Sequence, residues 1–116
     1  MEPVVFHIIS KSDWANAKDE VDYSPASFAS EGFIHLSQKS QILRPANLLY
    51  NGEDDLLLLV LAVDELGPEL RYEPGSHGES ELFPHLYGEL NVSAVVDVVE
   101  FPCQADGSFV LPQLPG

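Results

Sequence analysis

Apolar and polar positions divide the chain into short segments of two kinds. Residues 3–9 form a β-branched, aromatic run that reads as a strand. A helical signature follows it. Ser10 and Asp13 stand at capping-box spacing, and Trp14, Ala17 and Val21 recur at i, i+3 and i+7, the apolar stripe of one short helix packed by Trp14. After an irregular stretch with Tyr23, Pro25 and Gly32, residues 33–37 read as a short strand and residues 38–50 as a helical region. Pro45 falls inside that region. Proline is tolerated near a helix start but not in its interior, which predicts a kink or two short turns in succession. Asn51 and Gly52 close the element.

Residues 56–63 are uniformly apolar behind Asp54 and Asp55. A strand with one solvated face would alternate, so this run reads as a central strand covered on both sides. It is far shorter than the roughly 20 residues a membrane-crossing helix needs. Residues 70–73, 81–87 and 94–101 are further strand candidates, separated by a Gly67-Pro68 turn and a polar loop at 74–79. Asp106-Gly107 is a hairpin signal leading to a last strand at 108–111, and residues 112–116 read as a flexible tail. The pattern therefore predicts one α/β (α+β) domain over residues 1–116. It would hold about six or seven strands in a mixed or antiparallel sheet, with two helical regions in the N-terminal half.

Charge narrows the partners. Nineteen acidic residues against five basic ones give a net charge of -14. Nucleic acid is not an expected partner, because neutralising phosphates takes clustered Lys and Arg, and the five here are scattered. Anionic membrane surfaces are disfavoured for the same reason. The single cysteine, Cys103, excludes an intramolecular disulfide, and no basic-then-apolar leader precedes the first strand, so the expected compartment is the cytoplasm.

Candidate chemistry centres on histidine. Side chains two apart on a strand share a face, so Phe33, His35 and Ser37 form one set and Phe83, His85 and Tyr87 another. Each set runs aromatic, histidine, aromatic or hydroxyl-bearing residue. His7 lies between Val5 and Ile9 on the first strand. Imidazole is costly to bury among apolar neighbours unless its nitrogens find partners. One such histidine reads equally well as structural; three on separate strands point to a shared small-molecule pocket. His77, in a Gly/Ser-rich loop, reads as solvated, as do the acidic residues around Asp54 and at 79–81. Ser37 has two readings, a pocket hydroxyl or the N-cap of the following helical region. Tyr87 either donates to a ligand or packs beneath a loop. Arg71 and Glu73 share a strand face; Arg71 is either half of an ordinary ion pair or a holder of ligand phosphate or carboxylate, with Glu73 orienting a histidine or a ribose hydroxyl.

Two other function classes stand beside the small-molecule pocket. His7, His35 and His85 could coordinate Zn²⁺ or Fe²⁺, but spacings such as HxH or HExxH are missing, which argues against a metal. Alternatively the histidines are structural and the chain is an acidic interaction module whose loop at 75–78 and proline-rich end meet a basic partner.

The segments GFIHLS, LRYEP and LFPHLYG, with a histidine in the first strand, resemble the small bacterial proteins grouped as domain-of-unknown-function family 952, over residues 4–111. That family is in turn remotely similar to the ADP-ribosyltransferase-like superfamily, a split β-sheet fold that binds NAD or related nucleotides between its sheet halves. The resemblance implies NAD or an ADP-ribose derivative as ligand, with His7 on a ribose and His35 with Ser37 as the second motif. His7, Ser37, Arg71 and Tyr87 would bind the ligand; His35 and His85 would serve the reacting end. Where the superfamily commonly carries a Glu in its third motif, this chain has FPHLYG, so the acid would come from Glu73 or Glu81. Glu73 would then stabilise positive charge on the ribosyl carbon if a glycosidic bond were cleaved.

Overall fold

A computed structural model of the chain describes residues 3–75 and 80–115, so His77, Gly78 and Glu79 lie outside the described residues. In chain order the strands are β1 (Val4–Ser10), β2 (Asp22–Tyr23), β3 (Ile34–His35), β4 (Leu56–Ala62), β5 (Glu69–Pro74), β6 (Leu82–Tyr87), β7 (Leu90–Asn91) and β8 (Val95–Glu100). The α-helices are α1 (Lys11–Ala17), α2 (Phe28–Glu31) and α3 (Leu43–Leu49).

The apolar run at 56–63 sets the centre. Every residue of β4 is buried, and the strand lies between β1 and β8 in a three-stranded sheet. Its two faces feed two cores. Leu57, Leu59 and Leu61 join Val5 and Ile9 against Ile34, Leu36, Leu86 and Leu90 from the other sheets. Leu56, Leu58 and Val60 join Phe6 against Ile42, Ala46, Phe101 and Phe109. The strand is uniformly apolar because neither face meets water.

The second sheet runs β3-β6-β5, and β2 pairs with β7 in a small third sheet. Every described strand pair is antiparallel, so of the two expected arrangements, mixed or antiparallel, the antiparallel one is found. Among the described residues eight short strands replace the six or seven expected, because the sequence pattern has no room to show two-residue strands such as β2 and β7.

Local chemistry explains most helix ends. The Asp13 backbone N–H donates to Ser10 Oγ at 3.1 Å, the cap its spacing predicts, and Trp14 packs against the first core. Val21 does not extend that stripe. The helix ends at Ala17, and Val21 is 81% exposed. In the region 38–50, a 3₁₀ turn at Lys39–Gln41 precedes α3, so Pro45 falls in the first turn of a fresh helix, where its missing N–H costs nothing. Gly52 follows in a left-handed conformation with φ of 88°.

Two expectations at the C-terminus change. Asp106-Gly107 does make a turn, with Gln104 N–H donating to the Ser108 carbonyl at 2.7 Å, but residues 108–111 form no strand. The stretch read as a flexible tail is partly tied down: Leu114 packs against the second core and its carbonyl accepts from Lys39 Nζ at 3.2 Å. Among the described residues no helix is long and apolar enough to cross a membrane.

Candidate functional site

The two three-stranded sheets touch through one bridging pair. Phe6 N–H donates to the Ser37 carbonyl at 2.8 Å, and Ser37 N–H donates back to the Phe6 carbonyl at 2.9 Å. Beyond Phe6 the two sheets part, and a cavity of about 330 Å³ fills the wedge. Its walls are His7 to Ser10 of β1, the Tyr23–Ser27 segment, His35 and Ser37, and the end of α3 with Leu49 and Tyr50; Asp13 and Glu53, both exposed, lie at its rim. Three residues singled out from sequence, His7, His35 and Ser37, therefore line one cavity. Ser37 is not the helix cap: Gln38 begins the 3₁₀ turn, its backbone N–H donating to Gln41 Oε1 at 3.0 Å, while the Ser37 backbone is spent on the bridge.

His7 is the best-defined group in that wall. Its Nδ1 lies 3.0 Å from the His35 carbonyl oxygen. A carbonyl can only accept, so the proton sits on Nδ1 and Nε2 keeps its lone pair. Nε2 is buried and has no partner among the described residues. Burial lowers the pKa of His7 to about 4, outweighing the opposing carbonyl bond, so near neutral pH the ring is an uncharged acceptor. The Tyr23 ring lies 5.9 Å away. Burial, then the nearby Asp13 and Tyr50, push the Tyr23 phenol up to about 12; burial and Glu53 raise Tyr50 as well. Both phenols therefore stay protonated donors.

His85, Tyr87, Arg71 and Glu73 do not line this cavity. FIHLS and FPHLYG are not facing walls. They are adjacent antiparallel strands, with His35 opposite His85 and Ile34 opposite Leu86. Their chemistry-bearing side chains form a cluster on the sheet face turned away from the core. Phe33 stacks on His85 with ring centroids 4.3 Å apart and an angle of 23°, and touches His35 and Tyr87 at 4.8 and 5.4 Å. Glu73 Oε1 accepts from Tyr87 Oη at 2.5 Å and from His85 Nδ1 at 2.9 Å. These two bonds, the tyrosine's first, hold the Glu73 carboxyl below its usual range. His85 is only 3% exposed, and its Nε2, like that of His7, is buried without a partner.

Arg71 makes the ordinary ion pair. Its guanidinium grips Glu69 through two bonds of 3.0 and 3.1 Å and lies 4.4 Å over the Tyr87 ring. It is not among the residues that line the wedge. His35 joins the two regions: its side chain, 41% exposed, places Nε2 2.9 Å from Glu31 Oε1 and its ring 5.3 Å from His85, while its carbonyl holds His7. Among the described residues no group of three or more His, Cys, Asp or Glu side chains is set to hold an ion. Sequence reasoning missed Tyr23, Tyr50, Asp13 and Glu53, which come from separate elements with no shared period; the only available signal was an aromatic beside each Pro- or Gly-marked break.

Solved structures share this architecture. The crystal structure of protein CC0527 from Caulobacter crescentus is 32% identical over 92% of this chain and 93% of its own, with a TM-score of 0.81. The solution structure of CC0527 is 33% identical over 90% of each chain, with a TM-score of 0.76. No curated protein matches the chain. The model of the family described as "Protein of unknown function (DUF952)" matches residues 8–98, and with that span of agreement the chain belongs to this family.

Proposed function

We propose that the wedge between the sheets binds a small molecule of nucleoside type, the class that includes the nucleoside parts of NAD and ADP-ribose derivatives. One observation carries the reading: a buried histidine with its tautomer locked by a backbone carbonyl and its remaining lone pair unmatched by any protein donor. An unpaired buried acceptor costs about 1–3 kcal/mol, and a ligand hydroxyl or N–H would relieve that cost. The setting suits such a ligand. The cavity falls in the range of about 300–1,000 Å³ usual for small-molecule sites, and Tyr23 and Tyr50 supply aromatic surface with phenol donors. Strand alternation adds backbone groups: Phe6 turns its N–H and C=O outward to Ser37, so Ile8, two residues on, turns its own toward the wedge. The remote likeness to the ADP-ribosyltransferase-like superfamily, in which a first-strand His or Arg holds a ribose, favours the same class.

The reading stops at binding. Glu73, the acid that cleavage of a glycosidic bond would call for, lies outside the cavity lining with Oε1 committed to Tyr87 and His85. Thermal melting of the whole chain tests the proposal, because a ligand selective for the native state raises stability by mass action. The screen should include adenosine, nicotinamide riboside, ADP-ribose and NAD. At least one should raise the midpoint, and His7→Leu, which keeps the bulk and removes the acceptor, should abolish the rise. A flat screen, or a rise that His7→Leu leaves intact, would overturn the reading.

A further inference from the structure

We infer that the cavity selects nucleosides or free heterocyclic bases over their phosphorylated forms, an inference that rests on the nucleoside-type reading above and names its ligand class. The charged side chains at the rim are Asp13 and Glu53, and no Lys or Arg is among the lining residues. Three of the chain's five cations are engaged elsewhere. Lys11, which follows Ser10 directly, reaches Glu100 at 3.3 Å; Lys39 donates to the Leu114 carbonyl; Arg71 is paired with Glu69. The chain as a whole carries a charge of -14, which repels anions before contact.

The hydrogen-bonding groups point the same way. His7 offers an uncharged acceptor and the two rim carboxylates add charged ones, against the donor hydroxyls of Tyr23 and Tyr50, so the wall suits a ligand that brings N–H and O–H donors. Exocyclic amines and ribose hydroxyls have that character; a phosphate has only acceptors to offer. Two helix starts do border the wall, but N–H groups there are committed. At α1 Lys11 N–H donates to the Asp55 carbonyl and Asp13 N–H to Ser10 Oγ, with the Asp13 carboxylate in the same turn. At α2 Phe28 N–H donates to the Pro25 carbonyl, while α3 contributes Pro45, which has no N–H, and its C-terminal end with Leu49 and Tyr50.

Calorimetric titration of the whole chain at low ionic strength tests this, using adenosine, guanosine and cytidine, each beside its 5′-monophosphate. At least one nucleoside should bind about tenfold or more tightly than its monophosphate, and the gap should narrow as salt screens the rim. The double variant Asp13→Asn with Glu53→Gln should strengthen monophosphate binding severalfold. Both side chains are exposed, and the cap at Ser10 uses the backbone of residue 13, so this variant keeps the fold. A monophosphate that binds as well as its nucleoside, or a preference that the double variant leaves unchanged, would overturn the inference while leaving the binding site standing. If neither member of any pair binds, while NAD does, the selectivity for nucleosides and bases over phosphorylated forms falls. If nothing binds at all, the nucleoside reading itself falls.

Discussion

His7 in the wedge and His85 on the outer sheet face are wired alike and surrounded differently. Each donates from Nδ1 to a fixed oxygen, and each leaves a buried Nε2 bare. The oxygen on His7 belongs to a backbone carbonyl, which carries no charge and cannot move away from the strand. The oxygen on His85 belongs to Glu73, a carboxylate on a side chain that is also tied to Tyr87. A neutral acceptor fixes a tautomer but does little for an imidazolium, so burial dominates at His7 and keeps it uncharged. The same residue type in the same strand pattern thus faces a neutral backbone carbonyl in one place and a carboxylate in the other.

The largest effect that can break this comparison is a pH effect. The pKa of His7 is lowered from 6.5 to about 4 in the folded chain, so the unfolded chain binds the extra proton first. Stability is complete above pH 6.5 and is lost as pH falls toward 4, by about 2–3 kcal/mol between pH 7.5 and 4.5. Urea unfolding of the native chain and of His7→Leu at both pH values measures it: the native chain should lose that increment over and above whatever the variant loses. Equal losses in both would mean that His7 is not held neutral. The depressed carboxyl of Glu73 acts with the same sign but lower down, since its contribution is present above the usual carboxylate range and lost as pH falls through its folded value.

The parts legible in sequence were those governed by local rules. An unbroken apolar run can only be a strand covered twice; a proline can sit only in a first turn; a serine three residues before a free N–H caps it. Alternation also placed the faces of FIHLS and FPHLYG correctly. What it could not supply was which strands lie side by side. His7 reaches the carbonyl of a residue 28 positions away, and Tyr23 of β2 and Tyr50 at the end of α3 join it in the cavity wall. Arg71 shows the limit within a single strand. Glu69 and Glu73 stand two residues to either side of it on the same face, equally available by spacing. The choice of Glu69 follows from the neighbouring strand, whose His85 and Tyr87 claim Glu73.

A smaller effect separates the two regions. His85→Gln removes the stack on Phe33 and the bond to Glu73, none of these three residues being part of the cavity lining, and should cost about 1–2 kcal/mol in urea unfolding. Affinity for whatever nucleoside binds should stay within about twofold of native, because only the His35 side chain touches both regions. If binding disappears in a folded His85→Gln chain, the wedge and the outer cluster are one site and the comparison collapses.

The smallest effect isolates the network around Glu73. Of the groups that keep its carboxyl low, the Tyr87 hydroxyl contributes most, with His85 second. Tyr87→Phe deletes that donor and leaves the ring beneath Arg71 in place. The Glu73 carboxyl should then titrate nearer its usual value, seen by carbon-detected NMR of the side-chain carboxyl, while the denaturant midpoint near neutral pH scarcely moves, since the site is open to water. The pH dependence of His7 should be untouched, because its acceptor is a carbonyl on another strand. An unmoved Glu73 titration would transfer the hold on that carboxylate to His85 alone, making the outer cluster a two-residue pair rather than a three-residue network.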